Sequence, residues 1–307
     1  MEYDLIIMGH VSKDIIVEFG GAETRLLGGA LLYSALTAAR AGAKVLAVTK
    51  ASAADVPSLD FLRSEPNLEL VVQPSAETTS ILNVFKSADR ERRDVTLHSA
   101  ADPFRASDLP AGASAPVIDL AGLFVGELPD ALIGELRGRA RIAVDAQGLL
   151  RTAMADRTMK FFDWANKKKY LPMVSYFKTD AAEAEILTGL SDREAAARAL
   201  AELGRRPDGT APEIMVTHNT EVIVLSGGKI YRAPFTPSNL SGRTGRGDTT
   251  FAAYLAHRLG HGAEESVRFA AALCSIKMEK PGPFSATMED VRVRMERDAR
   301  VQRDARP

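Results

Sequence analysis

Ser241-Gly242-Arg243-Thr244-Gly245-Arg246-Gly247-Asp248-Thr249-Thr250-Phe251, followed at once by the apolar stretch Ala252 to Leu259, carries more structural information than any other part of this 307-residue chain. Glycines in the turn let the backbone curl so that successive N–H groups point one way, and the first amides of the following helix add to them. That combination makes an anion hole. An acid in the first helical turn is favoured as a carboxylate by the helix dipole, so Asp248 is expected to be ionised beside a bound phosphate. A plain N-cap and turn would also satisfy the local pattern. Gly245-Arg246-Gly247 lacks the third glycine and the preceding strand of a dinucleotide fingerprint, and no Gly-Lys-Ser/Thr of a Walker loop is present.

Working outward, the short apolar run Leu5 to Gly9 reads as a strand buried on both faces, as parallel sheets require. Leu31 to Ala41 has helical spacing, Gly42 stops it, and Lys44 to Val48 is a second buried strand. The pattern predicts further strands at Val117-Asp119, Gly122-Val125, Arg141-Asp145, Met173-Ser175 and Ile214-Thr217, alternating with helices near 129–138, 157–169, 180–187 and 192–203. Such alternation indicates one doubly wound, mainly parallel α/β domain over about 1–300. Two segments break it, near 12–27 and 80–98. In the second, Ile81-Phe85 and Arg93-Leu97 flank a polar stretch, a hairpin signal, so both segments are expected to form a small antiparallel sheet. Arg90-Glu91-Arg92-Arg93 reads as its solvated tip, and 301–307 as a frayed charged tail.

With 39 basic and 40 acidic residues, the formal charge of -1 gives no reason to expect a nucleic-acid partner. The one cysteine, Cys274, lies in an apolar run and reads as a buried small hydrophobe. No stretch approaches the ~18 apolar residues of a membrane span and no export signal is seen, so a soluble, cytoplasmic protein is expected.

Thr244 to Asp248 resembles the C-terminal signature of the ribokinase-like (PfkB) carbohydrate kinases, commonly Asp-Thr-x-Gly-Ala-Gly-Asp. Four further segments are similar to that family's motifs, in the same order. Gly9 to Asp14 resembles the end of its first strand, and Leu27-Gly28-Gly29-Ala30 its Gly-Gly substrate loop. Asp145-Ala146-Gln147-Gly148-Leu149-Leu150-Arg151 resembles a strand end found in some members, and Asp180 to Gly189 its Asn-x-x-Glu motif. The resemblance spans roughly residues 4 to 285. It implies an α/β fold with a β-sheet lid, and an ATP-dependent phosphotransferase acting on an alcohol of a sugar or cyclitol.

The site it implies has Asp248 as general base and the Gly245, Arg246 and Gly247 amides as the anion hole. Asp14, Gly28, Gly29, Tyr33, Gln147 and Arg151 are expected to face the acceptor. Thr217, Asn219, Thr244, Gly245 and Gly247 would face the nucleotide, and Glu183 with Asp180 would hold Mg²⁺ through water. ATP and Mg²⁺ are the implied cofactors, with a monovalent cation as a further candidate. The partners are a small polyol or sugar and a second copy of the chain through the lid, with no nucleic acid and no membrane. A nucleoside acceptor, or a catalytically silent sugar-binding protein on the same fold, is the alternative. The chain departs from the family pattern at Gly242-Arg243, where Asp-Thr is usual, and at Arg246, Tyr33, Asp180 and His218-Asn219.

His257 and His261 have metal-ligand spacing but lack the zincin Glu, and read as cationic residues at a helix end. His10, in the presumed substrate loop, is a candidate ligand contact, as is His98 at the end of a hairpin strand.

Overall fold

The structure, a computed structural model, describes residues 1–87 and 93–304. Among them, β1 (Leu5–Met8), β4 (Val45–Ala51), β5 (Leu68–Pro74), β8 (Val117–Leu120), β9 (Arg141–Asp145), β12 (Tyr176–Asp180), β13 (Glu213–Thr217), β14 (Glu221–Ser226) and β15 (Lys229–Pro234) form one sheet. Its order is β15-β14-β13-β12-β9-β8-β1-β4-β5. Every pairing from β5 to β13 is parallel, and only β13–β14–β15 is antiparallel. The doubly wound, mainly parallel expectation therefore holds, with an antiparallel edge that the sequence pattern did not mark.

Among the described residues the helices are α1 (Ala30–Arg40), α2 (Asp60–Arg63), α3 (Ala131–Leu136), α4 (Gln147–Leu150), α5 (Lys167–Tyr170), α6 (Ala181–Thr188), α7 (Arg193–Leu203), α8 (Arg246–Arg258), α9 (Ala263–Met278) and α10 (Met288–Asp304). None is long and apolar enough to cross a membrane. Side chains alternate across each strand. Leu5, Ile7, Val117, Ala143 and Tyr176 pack in a core with residues of α1, α8 and α9, whereas Ile6, Met8, Ile118, Val144 and Phe177 pack in another with residues of α6 and α7. The strand order reverses beside β1, and in such sheets the crevice at the carboxyl ends of the strands is where ligands bind.

A second sheet, ordered β3-β2-β6-β7, is built from β2 (Ser12–Val17), β3 (Glu23–Gly28), β6 (Thr79–Phe85) and β7 (Arg93–Ser99). It is the small sheet expected from the two misfit segments. One of its pairings, β2 with β6, is parallel rather than antiparallel, because the two strands belong to hairpins far apart in the chain. The tip residues 90–92 lie outside the described residues.

Three element assignments differ from the sequence reading. The helix expected over 157–169 is instead a hairpin, β10 (Arg151–Ala153) with β11 (Met159–Phe161), followed by the single turn α5. Arg157 sits in the left-handed region at φ 66°, and Asp156 Oδ1 accepts from the amide and hydroxyl of Thr158, so the chain reverses there. Gly122–Val125 is loop, because Gly122 must approach Gly148 to within 2.9 Å of where its own Cβ would lie. The strand placed at Met173–Ser175 begins at Tyr176, after a short 3₁₀ turn containing Pro172. At the C-terminus α10 runs through Asp304, past the point where the tail was expected to fray, and 305–307 lie outside the described residues.

Candidate active site

Alternation on three adjacent strands places Asp119 of β8, Asp145 of β9 and Lys178 of β12 in phase with Val117, Ala143 and Tyr176, on the α8 side of the sheet. Lys178 and Asp145 are direct cross-strand partners. Their side chains meet at 2.9 and 3.0 Å, with 6% and 4% of each residue exposed. Burial alone would lower the lysine pKa, but Asp145, Glu183 and Asp248 around it hold the ammonium well above its ordinary value. A lysine so enclosed stays charged.

The N-terminus of α8 faces this pair. Gly245, at its N-cap, has φ 75°, and a Cβ there would lie 2.3 Å from Cδ1 of Tyr33, so only glycine lets the ring pack against the turn. A Cβ on Gly247 would lie 2.9 Å from Lys178 Nζ. The ammonium therefore sits directly against the glycine turn. The Arg246 amide donates to Arg243 O at 3.2 Å. It is engaged within the turn, which corrects the expectation that all three amides of Gly245, Arg246 and Gly247 are available to an anion.

Asp248 is half-buried in the first turn of α8. Burial, then Asp145, pushes its carboxyl up to about 6, while Lys178 and Lys277 pull it down. Asp119 is buried, and neither of its oxygens has a hydrogen-bond partner among the described residues. Burial and the neighbouring Asp145 and Asp248 carry its pKa well above the usual carboxylate range, while Lys178 opposes the rise.

A cleft of about 600 Å³ opens here, lined by Lys178, Asp180, Glu183, Thr217, Asn219, Gln147, Phe85, Arg93 and the turn 243–248. Asp180 and Glu183 form a reciprocal cap at the start of α6, each carboxylate accepting from the other's amide at 2.8 Å. Burial, with Asp180 and Asp145 adding to it and Lys178 opposing, pushes the Glu183 carboxyl up to about 8. Across the cleft, Arg246 Nη1 donates to Asn219 Oδ1 at 2.8 Å.

Asp14 lies on the small sheet, where Ser12 Oγ donates to it at 2.6 Å. A Cβ on Gly28 would fall 2.3 Å from its Oδ2, so glycine is what lets the carboxylate in. Burial raises its pKa, and Ser12, Arg151 and Arg93 oppose the rise. Asp14 lines a neighbouring hollow of about 440 Å³ with Lys13, Ser80 and His98. Tyr33, 4% exposed, packs against the Gly245 turn, and its phenol is pushed up by burial and by Asp248 and Asp14 together. Tyr33 is thus near both acids as a packed wall. Gly29, at φ 96°, is closed against His10 O, 2.5 Å from where its Cβ would lie.

Other candidates are placed elsewhere. Arg151 is buried, its Nε donating to Leu123 O at 2.7 Å, so it braces the main chain while its charge acts on Asp14 and Glu183. His10 is fully buried between Thr79 Oγ1 and Asp102 O, its amide donating to Glu127. It is a core histidine and not a ligand contact. His257 is kept neutral, its pKa lowered to about 4 by burial and His261, which corrects its reading as a cation. With Glu265 the two histidines have ligand atoms within 4.8 Å of one another, at the far end of α8 from the cleft.

Lys178 and Arg93 are the site residues that motif reading passed over. A lysine inside the otherwise buried strand Tyr176–Asp180 was the available signal, since such a charge must have a partner. Arg93 lay hidden in a charged run that reads as hairpin tip.

A model of the pfkB family of carbohydrate kinases matches residues 13–290. Among solved structures, a pyrophosphate-dependent kinase in the ribokinase family, in a sulfate complex, is 37% identical with a TM-score of 0.85, over 94% of this chain and 99% of that one. A pyrophosphate-dependent kinase in the ribokinase family complexed with a pyrophosphate analog and myo-inositol is 37% identical, TM-score 0.84, over the same shares of the two chains. Ribokinase of Arabidopsis thaliana, complexed with ribose and ATP, shares the fold at 17% identity and TM-score 0.73, over 96% of this chain and 99% of that one. A search of curated proteins found no match.

Proposed function

This chain belongs to the pfkB family of carbohydrate kinases, and on that premise we propose that it moves a phosphoryl group from a compact inorganic donor, pyrophosphate, to a hydroxyl of a cyclitol such as myo-inositol. The observation that carries the donor reading is the Arg246–Asn219 hydrogen bond across the cleft, beside the buried Lys178. A nucleotide draws binding energy from its base and ribose, remote from the reacting phosphate. Pyrophosphate has no such handle and must be held by charge. Lys178 and Arg246 bring two cations to the glycine turn, and Arg246 with Asn219 occupies the strand-end position where the ATP reading places a nucleotide.

Asp248 is the general base. With a pKa near 6 it is ionised at pH 7 yet basic enough to accept a proton as the attacking oxygen forms its bond to phosphorus. The bond from that phosphorus to the bridging oxygen breaks, inorganic phosphate leaves, and the acceptor proton ends on Asp248. Lys178 and the free amides at the start of α8 face the charge spreading over the phosphoryl oxygens. Asp14 accepts hydrogen bonds from acceptor hydroxyls, and Tyr33 walls the acceptor side.

Asp180 and Glu183 each spend one carboxyl oxygen on the cap and keep a second, an oxygen-only donor set that would suit Mg²⁺ once Glu183, raised to about 8, gives up its proton to the ion's charge. When bound, the ion would neutralise phosphate charge. The test is a phosphate-transfer assay with Mg²⁺, pairing pyrophosphate or ATP with myo-inositol, ribose and a nucleoside. Turnover with pyrophosphate and myo-inositol should exceed that with ATP by at least about tenfold. Faster turnover with ATP would sink the donor assignment and leave the kinase reading standing. Turnover with no pair would sink both.

A further inference from the structure

The loop before α8 owes its shape to a cation that the chain itself supplies. Lys277, in the last turn of α9, is 2% exposed, and its ammonium donates to the main-chain carbonyls of Gly242 and Thr244. The same nitrogen lies 5.1 Å from the centroid of the Tyr33 ring. Burial lowers its pKa to about 8, which still leaves it charged at pH 7. No carboxylate pairs with it within 4 Å among the described residues. Its partners are carbonyl oxygens and an aromatic face, an environment suited to a bare cation.

The surrounding contacts show why a cation is needed there. The loop is docked on the carbonyl end of α9: the Gly242 amide donates to Met278 O at 2.8 Å and Ser241 Oγ to Glu279 O at 2.8 Å. A Cβ on Gly242 would lie 1.8 Å from Lys280 O. Loop carbonyls and the negative end of a helix dipole thus converge on one buried point, which without a positive charge would repel the loop. In a trans peptide the carbonyl and the next N–H point in opposite directions. Holding Thr244 O toward α9 therefore turns the Gly245 N–H away from α9, toward the cleft that Gly245 lines.

We propose that Lys277 is a positioning residue: its ammonium acts as a built-in monovalent cation that fixes the peptide planes of Gly242 and Thr244, so that the turn at Gly245 presents its amide to the donor without any added ion. This inference rests on the cleft being a phosphate-donor site. It also specifies the ion requirement of that site: the protein works equally well in potassium and in a bulky organic cation.

The experiment combines backbone hydrogen exchange of residues 243–247 with turnover, each in potassium chloride and in N-methylglucamine chloride, for the wild type, Lys277→Met and Lys277→Arg. The wild type should behave alike in the two salts, within about twofold. Lys277→Met, which keeps the aliphatic length, should exchange at least about tenfold faster in the loop and lose about 10²-fold in turnover in N-methylglucamine. Ammonium or potassium should restore part of both, and Lys277→Arg should keep most of both. A wild type that gains about fivefold or more from potassium overturns the proposal, and this arm needs no variant to fold. Unchanged loop exchange in Lys277→Met, or a loss that no cation repairs, overturns it too. If the wild type turns over no donor, the kinase reading fails, while loop exchange still decides the role of Lys277.

Discussion

The two walls of the cleft are built on different principles. The wall we assign to the donor consists of the α8 turn and the ends of β9 and β12. Its charges are enclosed, as in the Lys178–Asp145 pair, and its loop is tied to α9 by main-chain and ammonium contacts. The wall we assign to the acceptor is the small sheet, where β3 is largely exposed, Phe19 and Leu26 are 62% and 37% exposed, and Lys13 pairs with Asp55 at 2.8 Å in a half-solvated setting. A buried charge cannot be altered without leaving its partner unpaired, whereas a residue on a half-wet sheet changes at little cost. On the proposed function, the donor wall is the half that resists change and the acceptor wall the half free to set specificity.

The largest effect that sharpens this contrast is expected from Asp248→Asn. It keeps the shape of the cap but removes the proposed base, so kcat should fall ~10²–10⁴-fold. Because the folded protein raises the pKa of Asp248, ionisation there opposes folding, and the Asn variant should melt no lower than wild type at pH 7. Turnover within about threefold of wild type would reduce Asp248 to a cap.

Lys178→Met should be the costliest change for stability. It strands the buried Asp145 carboxylate, a loss of about 3–5 kcal/mol by chemical denaturation, together with a sharp rise in KM for the donor. A small loss would show that the donor wall is no more constrained than its counterpart.

Asp14→Ala tests the other wall. A charge-assisted hydrogen bond of about 1.5–3 kcal/mol predicts a rise of about 10–100-fold in KM for the acceptor, with kcat and donor KM nearly unchanged. An unchanged acceptor KM would remove Asp14 from the acceptor site.

The pH profile follows from the donor wall. As the proposed base, Asp248 must be ionised to accept the proton and its pKa is raised to about 6, so kcat/KM should fall about tenfold per unit below that value, stay level up to about 8, and fall again as Lys277 loses its charge. A profile level down to pH 4 would mean that burial does not act on the base. The smallest effect is expected at Lys13→Ala, where loss of the exposed pair with Asp55 should change stability by no more than about 1 kcal/mol.

Much of this was already written in the order of residues. Gly245, Gly247 and Asp248 announce a helix start after a tight turn because only certain residues suit a left-handed turn and a first helical turn, and that constraint is local. The parallel sheet is legible for the same reason, since strands buried on both faces must be apolar throughout. The small sheet showed itself as a break in alternation. What the chain order does not contain is which distant residues meet. Lys178 and Asp145 are 33 positions apart, Lys277 and Thr244 33 apart, and Tyr33 and Gly245 over two hundred; each pair is brought together by the packing of strands or helices onto one another. Burial then decides charge state. Asp119 and Asp248 are shifted toward neutrality and His257 stays uncharged, because the low-dielectric interior penalises ions in proportion to an enclosure that only the tertiary structure creates.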